Sequence, residues 1–477
     1  MHKMKEKVFE ASDNAGGFLP SQAPRAVVSR SERLPWAGII ALAMGMFIFG
    51  LAEGYGPFTA LGNVIPSRYG YLALGLPYIA GGIGALISGY LADAIGRRNT
   101  FILVVVMILT GMGIYIALPN NAVGIIASFT LVGLAGIGLE TPVLAALSEI
   151  VPARLRGSVL VIVQDFGNLS GVIFFPLALG FSSLLSEVSV VLLFLAPLAT
   201  LLIGYLAVEE TKPWTAAAHR SDKEVEEAWR SIDGGAEAVN PSAPLWFRFL
   251  IVTVIGLVQD LGFLYIAFDA PYEYFPSIAP EIPLWGGLLS GLFGIAYGLY
   301  LVKRMQRRAL SVLSYGLLAA TWAAVWAYVQ FGGASLNVVL IMMVFAFIPL
   351  EMTWGVRAML EPELFPTKLR GRYIASVRAI VWIASAIASM AFSYWILPFP
   401  YEAALVMGIL LAGLLASIAW QTRGFETAGK SLLGHDVQGR RKKGEYSTRT
   451  CIEIFLLTGI FDICKQRRNR LIVKIRP

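Results

Sequence analysis

The sequence predicts an all-α integral membrane protein, with about 12 transmembrane helices in two pseudo-symmetric six-helix bundles. Three observations predict it: a composition that water cannot solvate, apolar stretches of bilayer length at regular intervals, and a motif that recurs at one offset in both halves of the chain.

Apolar residues make up 57% of the 477 residues and charged residues only 14%, where a soluble domain carries roughly 25% charged residues. Mean hydropathy is +0.68. A soluble chain of this composition has too little polar surface to cover itself, so lipid must be the solvent for much of it. The net charge of +7 is uneven: residues 423–477 carry 13 basic and 5 acidic residues. A basic tail beside a bilayer implies contact with anionic lipid headgroups, and nucleic acid is not an expected partner. Cys451 and Cys464 both lie in that tail, so no disulfide framework holds the apolar body. His2, His219 and His435 all fall in polar segments, which leaves no histidine metal or acid–base site at membrane depth. No cofactor is implied.

A helix needs about 20 mostly apolar residues to cross ~30 Å of hydrocarbon. Such stretches run over 36–60, 71–92, 99–118, 121–148, 157–182 and 187–208, then over 245–272, 283–303, 309–330, 334–361, 372–397 and 401–422. The implied organisation is a cytoplasmic N-terminal arm (1–33), a first six-helix bundle (34–208), a linker (209–244), a second bundle (245–422) and a basic cytoplasmic tail (423–477). Basic residues sit in alternate loops: Arg97 and Arg98; Arg154 and Arg156; Lys303, Arg304, Arg307 and Arg308; Lys368, Arg370 and Arg372. Arg68 is the one clear exception. The positive-inside rule then places those loops and both termini in the cytoplasm of a multi-pass cell-membrane protein. In the linker, Ser221-Asp222-Lys223-Glu224 is a capping box, followed by Val225, Ala228, Trp229 and Ile232 on one face of an amphipathic helix. The Cys451 to Cys464 run is too short to span and is read as interfacial or disordered.

The repeat is the strongest single feature. Ser148 to Gly157 reads Ser-Glu-Ile-Val-Pro-Ala-Arg-Leu-Arg-Gly, and Pro362 to Gly371 reads Pro-Glu-Leu-Phe-Pro-Thr-Lys-Leu-Arg-Gly. The two lie 214 residues apart at equivalent helix ends, which implies halves related by an axis along the membrane normal. A second signature, Gly89-Tyr90-Leu91-Ala92-Asp93-Ala94-Ile95-Gly96-Arg97-Arg98, stands between the second and third spans. Its pattern of Gly, three residues, Asp, two residues, Gly-Arg-Arg resembles the signature of the major facilitator superfamily without a gap. The paired Glu-Pro-Arg-Gly segments resemble the sugar-porter and metabolite–proton symporter branches. The second-half copy of the Gly-Asp-Arg-Arg motif is degraded, with Gly298, Lys303, Arg307 and Arg308 in its place.

These loops can pair with one another. Arg97 and Arg98 can reach Glu149, Arg307 or Arg308 can reach Glu363, and Asp93 can sit against the positive N-terminal end of the eleventh helix. The resemblance implies that Gly89, Asp93, Gly96, Arg97, Arg98, Glu149, Arg156, Arg307, Arg308, Glu363 and Arg370 form a cytoplasmic gate that breaks when that side opens. The bland alternative is that they set topology and solvate helix ends.

Ionisable groups at membrane depth cost at least ~2.5–3.5 kcal/mol each at a helix centre and persist where they face a cavity or a partner. Glu53, Glu140, Asp165, Asp260, Glu351, Arg357 and Arg378 are such groups. Glu53 stands in Ala52-Glu53-Gly54-Tyr55-Gly56, which resembles the acid-Gly-Tyr-Asp segment of metabolite–proton and phosphate–proton symporters. Gly56 replaces the second acid there. Glu53 is the first candidate for a proton carrier, and Asp165 competes with it. Arg378 falls at the repeat position of Gln164, beside Asp165, about two turns inward, either to receive an anionic substrate group or to close an ion pair between the halves. Glu351 and Arg357 lie on different helix faces, and Arg357 can reach Glu361 four residues on. Tyr55, Gln259, Tyr265 and Trp354 are candidate substrate contacts, although Tyr and Trp also serve as packing anchors.

The expected function is a secondary active transporter of a small polar metabolite, a sugar or organic anion, coupled to protons and working by alternating access. Proton-driven efflux and a non-transporting nutrient sensor are the alternatives. The absence of a Gly-x-x-x-x-Gly-Lys-Ser/Thr loop argues against direct ATP drive, and no constellation for an enzyme is present.

Overall fold

Backbone groups in hydrocarbon must satisfy one another, so long apolar stretches fold as helices. The computed structural model describes residues 34–441, apart from 62–69, 119–120, 181, 220 and 334. The 1–33 arm with His2, the exception Arg68, and Cys451, Cys464 and the run between them lie outside the described residues. A boundary falls at Leu34/Pro35.

The first half contributes α1 (Trp36–Leu61), α2 (Gly70–Ala94), α3 (Arg97–Ala117), α4 (Ala122–Ile150), α5 (Ala153–Gly180) and α6 (Ser182–Ala207). The linker holds α7 (Lys212–His219) and α8 (Asp222–Asp233). In the second half α9 (Leu245–Leu264) continues through a π turn, Tyr265–Asp269, into α10 (Ala270–Tyr274). Likewise α11 (Glu281–Ala296) continues through a π turn, Tyr297–Leu301, into α12 (Val302–Arg304). Then follow α13 (Arg307–Ala327), α14 (Leu336–Glu363), α15 (Arg370–Tyr394), α16 (Phe399–Arg423) and α17 (Leu433–Arg441). Among the described residues nine helices are long and apolar enough to cross a membrane, or ten if the pair Val191–Ala207 and Lys212–His219, bent by 65°, is one span. Large apolar side chains such as Leu202, Leu206, Leu292 and Leu415 are exposed on the outer faces, as expected where lipid is the solvent.

Packing joins the two halves of the chain along two seams. α2 lies against α4 and, from the other half, α15, while α5 lies against α1, α11 and α14. Small residues let these backbones approach. A Cβ on Gly84 would stand 1.9 Å from the Leu134 carbonyl oxygen of α4. Gly89, the first glycine of the Gly-Asp-Arg-Arg signature, serves the second contact: a Cβ there would stand 2.5 Å from the Gly371 carbonyl oxygen of α15.

The linker contains two helices rather than one. Ser221 caps α8 by accepting from the Glu224 N–H at 3.3 Å, and Gly234, at φ 59°, ends it in the left-handed conformation. Val225, Ala228 and Trp229 are buried with Ala216, Ala217 and Leu432. Part of the sequence read as the basic tail, 423–477, is folded against the linker: Ser431 exchanges backbone hydrogen bonds with Glu237 and Val239, both at 2.8 Å, and α17 packs on α8.

Gly84→Ala should destabilise the protein by about 1–3 kcal/mol, because backbone atoms of α4 must move to admit the methyl group. Gly113→Ala, whose Cβ would meet nothing within 4 Å, should be neutral or slightly stabilising. Thermal melting in detergent compares the two, and equal Tm values would refute the packing assigned to α2 and α4.

Candidate functional site: the basic end and the mid-depth polar cluster

At the basic end, the Arg97 guanidinium at the start of α3 touches four groups. Nη1 donates to the Ala92 carbonyl at 2.6 Å and Asp93 Oδ1 at 3.0 Å. Nη2 donates to Glu149 Oε1 at 2.9 Å and, from the other half, to the Thr367 carbonyl at 2.7 Å. Arg370 Nη1 donates to the same Glu149 oxygen at 2.6 Å, and the Thr211 hydroxyl donates to Glu149 Oε2. Glu149 is fully buried. Asp93 accepts from the Gly371 and Arg372 N–H groups at 3.0 and 2.9 Å, so its carboxylate caps the positive end of α15. Gly96, at φ 103°, makes the turn into α3 that no side-chain-bearing residue adopts readily.

One residue goes elsewhere than the sequence suggested, and the choice between Arg307 and Arg308 for Glu363 falls to Arg307. Arg98 does not reach Glu149; it donates to the Val208 and Tyr205 carbonyls at 2.7 and 3.0 Å and ties α3 to the end of α6. Arg308 does not reach Glu363; it donates to the Gln421 carbonyl at 3.1 Å and pairs with Glu426. Arg307 is the one that faces Glu363, at 3.4 Å. Arg156 holds the linker, with Asp233 at 2.7 Å and the Lys430 carbonyl at 3.0 Å.

Sequence reasoning missed a second repeat. Glu210 accepts from the Arg97 and Arg98 N–H groups, and its neighbour Thr211 bonds Glu149. Glu426 accepts from the Arg307 and Arg308 N–H groups, and its neighbour Thr427 bonds Glu363 at 2.5 Å. Glu-Thr after α6 and again after α16 was the available signal. Trp229 was read only as an apolar face. Its ring centre lies 5.7 Å from both the Arg156 and Arg370 guanidinium carbons, and its N–H donates to Asp436 at 3.0 Å. Asp436 also accepts from the Thr367 N–H and hydroxyl at 3.0 and 2.7 Å. His435, one of the polar-segment histidines, is buried against the Glu363 carbonyl. Burial and the Arg248 charge hold its imidazole well below its ordinary pKa, hence neutral.

From Glu361, near the basic end of α14, inward to mid-depth, the structure builds one continuous chain of polar groups across both halves. Gln164 of α5 donates to Glu140 of α4 at 2.9 Å. Glu140 pairs with Arg378 of α15. Arg378 Nε donates to Glu361 of α14 at 2.8 Å, Arg357 donates to the other Glu361 oxygen at 2.6 Å, and Arg357 Nη1 donates to Gln259 of α9 at 2.8 Å. The pairing of Arg378 with Asp165 is therefore not made. Arg378 is committed to Glu140 and Glu361, and Asp165 turns the other way, to Asn168 at 2.9 Å.

Glu53 is half-buried on α1, and the charges that act on it are Asp260 and Arg357 of the second half. Beside it Tyr78 stacks on Trp382, ring centres 5.6 Å apart, with Phe49 edge-on to Trp382. Buried Asp260 Oδ2, Glu351 Oε1, Trp382 Nε1, and one Nη2 each of Arg357 and Arg378 have no hydrogen-bond partner within the protein. Buried polar atoms of this kind are completed by water, an ion or a bound molecule, and others lie at the basic end, on Arg97, Arg156 and Arg370. Tyr55 is not among them. Its hydroxyl bonds Ser128 at 3.0 Å, and its ring packs on Tyr115 and Phe129, so it is part of the first half's own core. Tyr265 packs against Trp322 and Phe392, and its buried hydroxyl, unlike that of Tyr55, is among the unpartnered atoms. Trp354 lies against α5, its ring 3.1 Å from where a Gly167 Cβ would stand.

A family model described as Major Facilitator Superfamily matches residues 36–389. The chain belongs to that superfamily. This member is similar to a putative metabolite transport protein, YfiG, of Bacillus subtilis, at 24% identity over 445 residues, covering 84% of this chain and 91% of the relative. It is also similar to the galactose-proton symporter of Escherichia coli, at 26% identity over 389 residues, covering 75% of this chain and 83% of the relative. A solved structure of the proton:xylose symporter XylE bound to 6-bromo-6-deoxy-D-glucose shares the fold, with a TM-score of 0.64 and 20% identity, over 85% of this chain and 99% of XylE.

Glu361→Gln should destabilise this member by about 3–5 kcal/mol, because it leaves two buried guanidinium groups with one carboxylate between them. Adding Arg357→Met should recover part of the loss. Thermal melting of the purified variants reads both, and a wild-type Tm for Glu361→Gln would remove the network from the stability of the fold.

Proposed function

We propose that the protein is a proton-coupled symporter of a small, sugar-like polar metabolite. Its twelve spans would form two six-helix bundles, residues 34–208 and 245–422, joined by the 209–244 linker and rocking about a midplane site. The observation that carries this reading is the set of buried, unpartnered donors and acceptors at mid-depth between the two halves. Asp260 and Glu351 offer acceptors, and Trp382, Arg357 and Arg378 offer donors. The Tyr78–Trp382 stack supplies an apolar face. Hydroxyl groups around a C–H face are the ligand chemistry that such a mixture fits. The similarity to a galactose-proton symporter supports the same class. Glu53, Asp165, Gln259, Glu140 and Arg378 complete the proposed path, and Tyr55 supports it from behind.

The basic end would be the closed cytoplasmic gate. Arg97, Arg370 and Asp93 bond across the halves there, with Gly89 permitting the close approach. Gly96, Arg98, Arg156, Glu149, Arg307, Arg308 and Glu363 brace each side. The alternation of basic loops supports cytoplasmic termini. Exposed Arg154, Lys303 and Arg304 support contact of this end with anionic lipid headgroups.

The test is uptake of radiolabelled D-galactose and D-xylose into proteoliposomes, with and without an imposed inward proton gradient. Accumulation above the equilibrium level, abolished by a protonophore, is the expected result. Uptake indifferent to the gradient would replace symport by facilitated diffusion.

A further inference from the structure

Asp165 of α5 and Glu351 of α14 come from opposite halves of the chain, and one amide nitrogen bonds them both. Asn168 Nδ2 donates to Asp165 Oδ1 at 2.9 Å and to Glu351 Oε2 at 2.8 Å. The two carboxylate oxygens therefore lie no farther apart than the sum of those distances. The Ser290 hydroxyl of α11 donates to the same Glu351 oxygen at 3.1 Å. Gly294, one turn on, leaves Asp165 its space: a Cβ there would stand 2.5 Å from the Asp165 carboxyl carbon. Asp165 is 1% and Glu351 2% exposed.

Among the described residues neither acid has an ion pair. The arginines of α14 and α15 nearer the basic end have carboxylates of their own: Arg378 pairs with Glu140 and Glu361, and Arg357 pairs with Glu361 and bonds Gln259. The other titratable groups on the helices packed around the pair are also accounted for. Tyr297 beyond α11 donates to the Met352 carbonyl, Glu140 of α4 holds Arg378, and Glu53 of α1 and Asp260 of α9 lie within electrostatic range of Arg357. Two carboxylates so close and so deeply buried, with no arginine or lysine paired to either, strongly disfavour carrying two charges at once. Two features go beyond an acidic cluster. Glu351 Oε2 takes two donors, while Glu351 Oε1 is buried with no donor at all. Both acids also sit at equal depth, twelve residues from the basic ends of α5 and α14, or about 18 Å along each axis.

We infer that Asp165 and Glu351 share one exchangeable proton, and that this proton is the coupling ion of the transport cycle. The inference rests on the symport reading above and names the site of coupling within it. With the proton bound, the pair carries one negative charge and a hydrogen bond holds α5 to α14. When the proton leaves, two negative charges repel across the seam between the halves. Loss of the proton therefore favours parting of the halves at the basic end, where water reaches the pair and solvates both carboxylates. Glu53, half-buried beside the aromatic stack, is then a substrate ligand rather than the proton carrier.

Spin labels at Ala94→Cys and Lys303→Cys, both exposed at the basic end on opposite halves, read this without any substrate, in a background with Cys451 and Cys464 replaced by serine. In the wild type the label separation should lengthen between mildly acidic and mildly alkaline pH. Asp165→Asn and Glu351→Gln, each of which keeps size and hydrogen bonding, should each lose that response, while Glu53→Gln should keep it. Gel filtration confirms that each variant is folded. A wild type without a pH response, or a response retained in either variant, overturns the assignment. A response lost only in Glu53→Gln moves the proton to Glu53. A sodium-induced change at fixed pH that Asp165→Asn abolishes makes the ion sodium instead. Failure to transport any sugar would count against the substrate class alone, since the labels report on the proton.

Discussion

Glu149 has no water to turn to. Its buried carboxylate is satisfied by Arg97 from its own half, by Arg370 from the other, and by Thr211 from the linker. Removing a carboxylate and two guanidinium groups from water costs several kcal/mol per ion, and only close, multiply bonded geometry offsets it. That geometry exists only while α3, α4, the start of α15 and the linker are all in place. The fold at the basic end is arranged to keep it so. Gly89 lets α2 approach α15, Asp93 caps α15 from α2, and Trp229 fills the space between Arg156 and Arg370.

The same reasoning separates the two kinds of charge deeper in the membrane. Glu140, Glu361, Arg357 and Arg378 pair their charges with one another, leaving one Nη2 donor each on Arg357 and Arg378. Asp165, Asp260, Glu351 and Glu53 form no ion pair among the described residues. In a medium where a lone charge is costly, the first group supports structure and the second must be completed by protons, substrate or path water.

The nine or ten long apolar helices among the described residues were legible because bilayer length and apolar run length are tied by geometry, and the Gly-Asp-Arg-Arg signature was legible because each of its residues meets a steric or charge demand. Partners were harder to read. Arg378 was placed beside Asp165 by the repeat offset, yet neighbours in sequence register point around a helix at 100° steps, and Glu140, on a different helix, was the group in reach. Tyr55 looked path-facing because it follows Glu53, and two positions along a helix turn it to the opposite side. The folded segment around His435 and Asp436 was hidden because a few buried side chains anchor it, with no apolar run to betray them.

The dependence of the basic end on Glu149 is tested most directly by a double-mutant cycle with Arg370. The populations of closed and open forms are read from label distances in wild type, Glu149→Gln, Arg370→Gln and the double variant. If the carboxylate holds the halves together through Arg370, each single variant opens the basic end. The double variant then opens it by less than the two effects combined, leaving an interaction energy of at least about 1 kcal/mol. Strict additivity, or unchanged populations in the single variants, would contradict it.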